Sequence, residues 1–348
     1  FRGSIILRVN PDSSFNLINE LPLEDYLTSV ISSEMSAHAP LEFLKAQAIT
    51  ARSWLAAMLI RKKRNANALR IDHTDINEII RWHDTNDHSF FDVCADDHCQ
   101  RYQGIAAITS TGVENAIQAT RGIYLVYNNK VCDARYYKAC GGRTEIFSSA
   151  WEDKSFSYLQ SVSDSSHDFP AISSEDDAAG WLREKPASYC NTEDEELLRQ
   201  ILPSFDQETM NFYRWQVSYE REELEQILRK KSGIDFGTLQ SLTAIKRGPS
   251  GRISKLKIEG TKRTVIVGKE LEIRNWLSPT HLLSSAFVIS TEQSKNGEIK
   301  QFILDGGGWG HGVGLCQIGA AVMAAKGFSA EDILAHYFSG AKLEKLYE

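Results

Sequence analysis

The stretch Asp305-Gly-Gly-Gly-Trp-Gly-His-Gly-Val-Gly314, running on into Leu315-Cys-Gln-Ile-Gly-Ala-Ala-Val-Met-Ala-Ala-Lys-Gly327, carries six of the chain's 23 glycines between Gly306 and Gly314. Glycine admits close backbone approach and φ > 0, so such a run presents the few large side chains it keeps, here Trp309 and His311. A phosphate loop would need a Lys-Ser/Thr pair after the glycines, or a G-x-G-x-x-G turn with a later acidic residue, and neither is present. The alternation at 308, 310, 312 and 314 predicts an extended segment with one face of bare backbone, then a helix from about Leu315 to a stop at Gly327. The competing reading is a tightly packed strand-to-helix turn around a buried histidine.

Working outward, 348 residues with 42% hydrophobic and 10% aromatic side chains can bury a large core and suggest two lobes. No apolar run reaches the ~18 residues needed to span a bilayer. The net charge of −7 argues against a chain whose main partner is nucleic acid or anionic lipid. Arg2 to Asn10 already reads as a strand, so any signal or anchor segment is expected ahead of Phe1. The six cysteines, at 94, 99, 132, 140, 190 and 316, are too few and too irregularly spaced for a disulfide scaffold, which leaves the redox compartment open.

Near the start, Pro22 suits the first turn of a helix, Glu24 and Asp25 complement its positive end, and Leu23, Tyr26, Leu27 and Val30 form its apolar stripe; this helix ends near Glu34. Pro40 opens a longer one, Leu41 to about Arg61, with Leu44, Ala48, Ala51, Leu55 and Leu59 on one face. Residues 71–104 are polar and hold His83, His88, Cys94, His98 and Cys99, which reads as loop carrying function or metal. Gly122 to Ala139 reads as a hairpin of two alternating strands around Asn128-Asn129. Residues 163–200, acidic and Ser-rich, read as a surface connection. Short strands at Leu242–Arg247, Ile253–Ile258 and Thr264–Val267 follow a charged helix from Glu220 to Lys231 and build a small α+β lobe; a last strand at 301–305 enters the glycine run. The expected fold is α+β, a mixed and largely antiparallel β core with N-terminal helices: residues 1–162 together with 285–348 form the core, and 163–284 form a smaller inserted α+β lobe.

Four motifs now stand in order: Leu21-Pro-Leu-Glu-Asp-Tyr-Leu-x-x-Val-x-x-x-Glu34-Met, Leu41-Glu-x-Leu-Lys-Ala-Gln-Ala-x-x-Ala-Arg52, Gly141-Gly-Arg-Thr-Glu145, and Gly308-x-Gly-His-Gly-Val-Gly-x-x-Gln317-x-Gly-Ala. With Ser250-Gly-Arg-Ile and Leu282-Leu-Ser-Ser-Ala-Phe they resemble the stage II sporulation protein D family, which shares the SpoIID/LytB domain, over nearly the whole chain. The resemblance implies an extracytoplasmic lytic transglycosylase acting on peptidoglycan glycan strands, with the Glu34 position as catalytic acid. Sporulation members act on strands already stripped of stem peptides by an amidase, and other members are called amidase enhancers, so glycan strands and a cell-wall amidase are the implied partners. A Cys/His zinc site is also implied, falling on His88, Cys94 and Cys99.

The residue chemistry runs beside this. Cleaving a β-1,4 glycosidic bond needs a proton on the leaving oxygen, and a glutamate in a partly apolar pocket with a raised pKa can hold one near neutral pH. Glu34 sits at a negative helix end, with Ile31, Met35 and Pro40 as candidate apolar walls; the alternative is a solvated helix-end glutamate. Glycosidases that add water generally use two carboxylates, whereas attack by the sugar's own 6-hydroxyl can work with one residue serving as acid and then base. Glu145 is the best second acid, its alternative role being a surface pair with Arg143 or Arg52. Gln47 and Arg52 are assigned to supporting or substrate contacts. Tyr137, Trp309, His311 and Gln317 would line a glycan cleft, aromatic faces on sugar rings and amides on hydroxyl and acetamido groups, against a core role for the aromatics. Cys94 and Cys99 could be a disulfide, a structural zinc pair completed by His88 and perhaps His98, or two buried thiols; the surrounding histidines put zinc first. Cys132 and Cys140, on one strand, would lie too far apart to bridge.

Overall fold

A computed structural model of the chain describes residues 1–64, 73–75, 77–82, 88, 90–107 and 110–348. After an antiparallel hairpin, Ser4–Val9 with Phe15–Glu20, helix α1 spans Leu23–Glu34 and helix α2 Leu41–Arg64. Proline stands just before each, and acidic side chains occupy both first turns. Leu27, Val30 and Ile31 of α1 and Phe43, Leu44, Ala48 and Ala51 of α2 are fully buried. Helices Thr111–Ala119, Gln317–Ala325 and Ala330–Tyr337 pack around α2. The first core thus joins the two ends of the chain, and the pairing of Lys342–Lys345 with Ile123–Tyr127 closes it.

A second core lies between two sheets. Antiparallel Leu239–Arg247, Ile253–Gly260 and Thr264–Gly268 continue into Glu78–Ile80, which pairs parallel to the last of them. Phe287–Gln293, Ile299–Gly306 and Trp215–Glu220 form the other sheet, with helices Arg221–Ser232 and Glu270–Trp276 alongside. The architecture is α+β. Residues 189–213 of the expected insert pack into the first core, while Ile79, Phe287, Phe302 and Leu304 pack into the second.

Four local expectations change. Residues 163–200 are not a surface connection: helices Glu175–Glu184 and Glu195–Ile201 form there, capped by Ser174 and Asp194, and Asp164, Cys190 and Leu198 are buried. The hairpin after Gly122 keeps only Lys130–Val131 as its second strand; the chain then leaves, and Tyr136–Tyr137 pairs parallel with Leu315–Cys316. That pairing delays the following helix to Gln317. Part of the polar stretch 71–104 is strand, while His83 lies outside the described residues.

The glycine run does not bare a face. Its amides and carbonyls are taken up by protein: Trp309 and Ala139 exchange two hydrogen bonds, Gly310 N donates to Leu283 O, Gly308 N to Phe212 O, and Glu145 N to Gly312 O. The packed strand-to-helix turn is therefore the better description. At Gly312, φ is +84° and an added Cβ would stand 2.6 Å from the Arg252 guanidinium carbon. Gly312→Ala should therefore lower stability by at least about 2 kcal/mol, a left-handed residue costing about 1–2 kcal/mol before Arg252 is displaced. Chemical denaturation measures this; an unchanged midpoint would mean that Arg252 is not seated there.

Candidate functional site

Glu34 is the last residue of α1, where the chain turns out at Met35, and it is partly buried at the floor of a cleft of about 530 Å³. Its Oε1 accepts from the backbone N–H of Arg101 at 2.9 Å and from the Tyr136 hydroxyl at 3.2 Å. Lys138 Nζ donates to the Glu34 carbonyl at 2.8 Å and pairs with Asp206 at 2.8 Å. Burial holds the Glu34 carboxyl above the ordinary glutamate range, against the opposing pull of Lys138 and the Arg101 N–H. The dominant cause is burial, and Tyr136 is one of the walls that supply it; the expected walls Ile31, Met35 and Pro40 do not line the cleft.

Trp309, Trp151 and Tyr137 give the cleft aromatic surface, and Arg135 lies 4.2 Å over the Trp151 ring. His311 stacks edge-on to Trp151 at 4.7 Å, and its Nδ1 accepts from Val313 N at 3.1 Å. Burial, with Arg135, Arg252 and Arg274 nearby, pushes its pKa well below the usual value, so at neutral pH it is uncharged and carries its proton on Nε2. Gln317 Nε2 and the Tyr137 hydroxyl are buried beside the cleft and have no hydrogen-bond partner among the described residues.

Three expected site residues lie elsewhere. Glu145 is fully buried outside the cleft: it accepts from Ile146 N, Ser149 Oγ and Ser250 Oγ, the last at 2.6 Å, and its pairing with Arg143 or Arg52 does not occur. Arg52 is fully buried, with both oxygens of Glu24 and the carbonyl of Ile123 as its partners. Gln47 is buried in the first core and does not reach the cleft. Conversely, Tyr136, Lys138, Arg101 and Asp206 were not foreseen. Alternation gives no signal for them, since Tyr136, Tyr137 and Lys138 all line the cleft and the strand there is only Tyr136–Tyr137.

The loop beyond Glu34 brings His88, Cys94, His98 and Cys99 together, with one ligand atom of each within 4.8 Å of the others. Cys99 Sγ lies 3.3 Å from His88 Nε2 and 3.5 Å from His98 Nδ1, and the two imidazole nitrogens are 3.2 Å apart. Ligand bonds of about 2.0–2.3 Å in a tetrahedron give edges of about 3.3–3.8 Å, so the donor set fits zinc. The same loop delivers Arg101 N–H to Glu34.

Against known proteins, residues 11–127 match the family model described as stage II sporulation protein, and residues 145–314 match a domain of unknown function. Over 338 residues the chain is 25% identical to a stage II sporulation protein D of Bacillus amyloliquefaciens, covering 96% of this chain and 77% of that one. It is also 22% identical over 334 residues to an amidase enhancer of Bacillus subtilis, covering 91% of this chain and 40% of the relative. The chain is thus similar to the stage II sporulation protein D family, whose model matches its first third. A 28% identical relative from Brachyspira hyodysenteriae, covering 94% of this chain and 68% of that one, is uncharacterized.

The Arg52 geometry separates it from substrate. Arg52→Met leaves Glu24 a partly buried, uncompensated carboxylate, and should cost about 3–5 kcal/mol of stability while leaving glycan binding by the folded fraction unchanged. Thermal melts alongside a glycan pull-down would read both; weakened binding at full stability would return Arg52 to the site.

Proposed function

We propose that the chain is an extracytoplasmic peptidoglycan lytic transglycosylase that cleaves the MurNAc-GlcNAc β-1,4 bond and leaves 1,6-anhydroMurNAc ends, with Glu34 as the acid and base. The observation that carries this is a carboxyl held above its ordinary pKa by burial, at the floor of an aromatic-walled cleft. In the first step Glu34 gives its proton to the glycosidic oxygen as the bond to C1 of MurNAc breaks. The carboxylate left behind is stabilised by the Arg101 N–H, the Tyr136 hydroxyl and the nearby Lys138 ammonium. In the second step it takes the proton of the C6 hydroxyl as O6 attacks C1, which closes the anhydro ring and returns Glu34 to its starting state. No water is consumed, so one carboxyl group suffices. Trp309 and Trp151 offer faces for sugar rings, Gln317 offers an N–H donor for acetamido or hydroxyl oxygens, and Tyr137 and His311 back the wall behind them. Zinc held by His88, Cys94, His98 and Cys99 would be structural: it would fix the loop that carries Arg101 and supply no step.

The amidase enhancer among the relatives supports a second reading, in which the same cleft binds glycan and the chain recruits or stimulates an amidase. Product analysis separates the two. Incubation with intact and with peptide-stripped glycan strands should yield ends one water lighter than hydrolytic ones; no cleavage of either, with retained binding, would favour the enhancer.

Glu34→Gln keeps the shape and removes the transferable proton, so turnover should fall ~10²- to 10⁴-fold while binding survives. Because the acid must be protonated and burial raises its pKa, kcat/KM should be lost as pH rises through a value above the ~4.3 of an ordinary glutamate. Retained turnover in a folded Glu34→Gln protein would overturn the assignment.

For the loop, Cys94→Ser should release one equivalent of zinc by elemental analysis and loosen residues 90–104 to hydrogen exchange. A Cys94–Cys99 disulfide in a non-reducing peptide map, with no zinc lost on substitution, would replace the metal with an oxidised cross-link.

A further inference from the structure

On the far side of the cleft floor, three cysteines and an aspartate from four separate segments converge. Cys140 follows the Ala139–Trp309 bridge, Asp164 ends the segment after the Arg143–Ser163 bridge, Cys190 precedes the helix at Glu195, and Cys316 caps the helix Gln317–Ala325. All four are fully buried, and one ligand atom of each lies within 4.8 Å of the others. Cys140 Sγ and Cys190 Sγ are 3.3 Å apart. We infer that Cys140, Cys190, Cys316 and Asp164 form a second metal site, a closed S3O centre for zinc, independent of the His88, Cys94, His98 and Cys99 cluster.

Three observations support it. The 3.3 Å sulfur–sulfur distance, with all four donor atoms inside 4.8 Å, is close to the about 3.3–3.8 Å edges of a tetrahedron around zinc. Backbone N–H groups donate to the sulfurs, Gly142 N to Cys140 Sγ at 3.2 Å and Cys140 N to Cys316 Sγ at 3.3 Å, an arrangement that suits thiolates better than thiols. The Gly141-Gly142 turn makes the first of these, with φ of +82° and +125°. Finally, Asp164 is a buried carboxylate with no cationic side chain paired to it among the described residues: its oxygens accept from Cys190 N at 2.8 Å and from the Tyr337 hydroxyl at 2.5 Å. A Cβ at Gly319 would stand 2.3 Å from Asp164 Oδ1, so the helix keeps that position clear for the carboxylate. A bound dication supplies the missing positive charge. A Cys140–Cys190 disulfide would use two of the three sulfurs and leave Asp164 as it is.

Three thiolates and a carboxylate around Zn²⁺ carry a net charge of −2. Arg252 and Arg214 donate to the Cys140 and Gly141 carbonyls from outside, at 3.2 and 3.0 Å, and offset part of it. Because the four groups have no exposed path, the ion would enter during folding with release of the thiol protons. It would then tie the 139–142 turn, which follows the cleft residues Tyr136, Tyr137 and Lys138, to the Cys316–Gln317 step, whose Gln317 lines the cleft.

The test is metal content of the whole chain, purified with zinc and without chelator. Two equivalents are expected, with one left in Cys94→Ser and one left in Cys190→Ser. Should Cys190→Ser fail to fold, the Cys94→Ser protein is measured by zinc X-ray absorption, where three sulfur neighbours at about 2.3 Å are expected. One equivalent in the parent with none in Cys94→Ser, or a Cys140–Cys190 disulfide in the peptide map, would overturn the second site.

Discussion

The buried guanidinium of Arg252 holds the two halves of the molecule to one another. It leaves the edge of the second core at the start of strand Ile253–Gly260, is itself fully buried, and donates to the carbonyls of Gly310, Cys140 and Ala139 and to the Ser250 hydroxyl. A guanidinium can serve four acceptors at once because its donors are planar and divergent. The same Ser250 hydroxyl donates to Glu145, so the charge of Arg252 is answered one residue away by a carboxylate that is also buried. Glycine at 308 and 312 is what allows the carbonyls to come this close to the guanidinium, and the cleft wall carrying Trp309 and His311 is the outer side of that arrangement. The motif around Gly308 and the short Ser250-Gly-Arg-Ile word are thus two halves of one contact.

The electrostatics of the cleft follow from how its cations are placed. Lys138 is occupied by Asp206 and by the Glu34 carbonyl, and Arg135 by Asp133 at 2.7 Å. Neither makes a direct ion pair with the Glu34 carboxylate, which is why burial outweighs them and the pKa is raised. Lys138 and Arg101 still lie close enough to ease formation of the anion. His311 sits among three arginines and is kept neutral, so it offers a hydrogen bond and no proton of catalytic strength.

Much of this was legible in the sequence. The two helices, their prolines and acidic first turns, the short antiparallel strands and the helix stop at Gly327 each follow from local patterns, and Glu34, Tyr137, Trp309, His311 and Gln317 all line one cleft. What local patterns could not supply was direction. Arg52 and Glu145 stand in the same motifs as cleft residues, yet each belongs to a buried network whose partners, Glu24 and Ser250, are 28 and 105 residues away. Asp206 lies on a short turn after Pro203 with no pattern to mark it, and the Cys140, Cys190 and Cys316 group is invisible as spacing because its members span 176 positions. The glycine alternation was read as a strand with a bare side, and the positive φ at each of the four glycines makes it a turn sequence packed on both sides.

That packing also bears on how a single carboxyl group would be positioned to act twice in the proposed reaction. Glu34 ends a helix, a place where side chains usually keep freedom, and it is fixed from outside the helix by Arg101 N and Tyr136. Arg101 is two residues beyond Cys99 and Tyr136 is paired, through Leu315, to the glycine run. The acid is therefore held between two elements that have little regular secondary structure of their own, a Cys/His loop and a glycine turn, and each needs a polyvalent clamp to stay in place. Arg252 is the clamp for the turn. For the loop, whose described residues have little buried apolar surface to anchor them, the proposed zinc would be the element of matching strength, and the convergence of four donors directly before Arg101 would put that clamp next to the carboxylate.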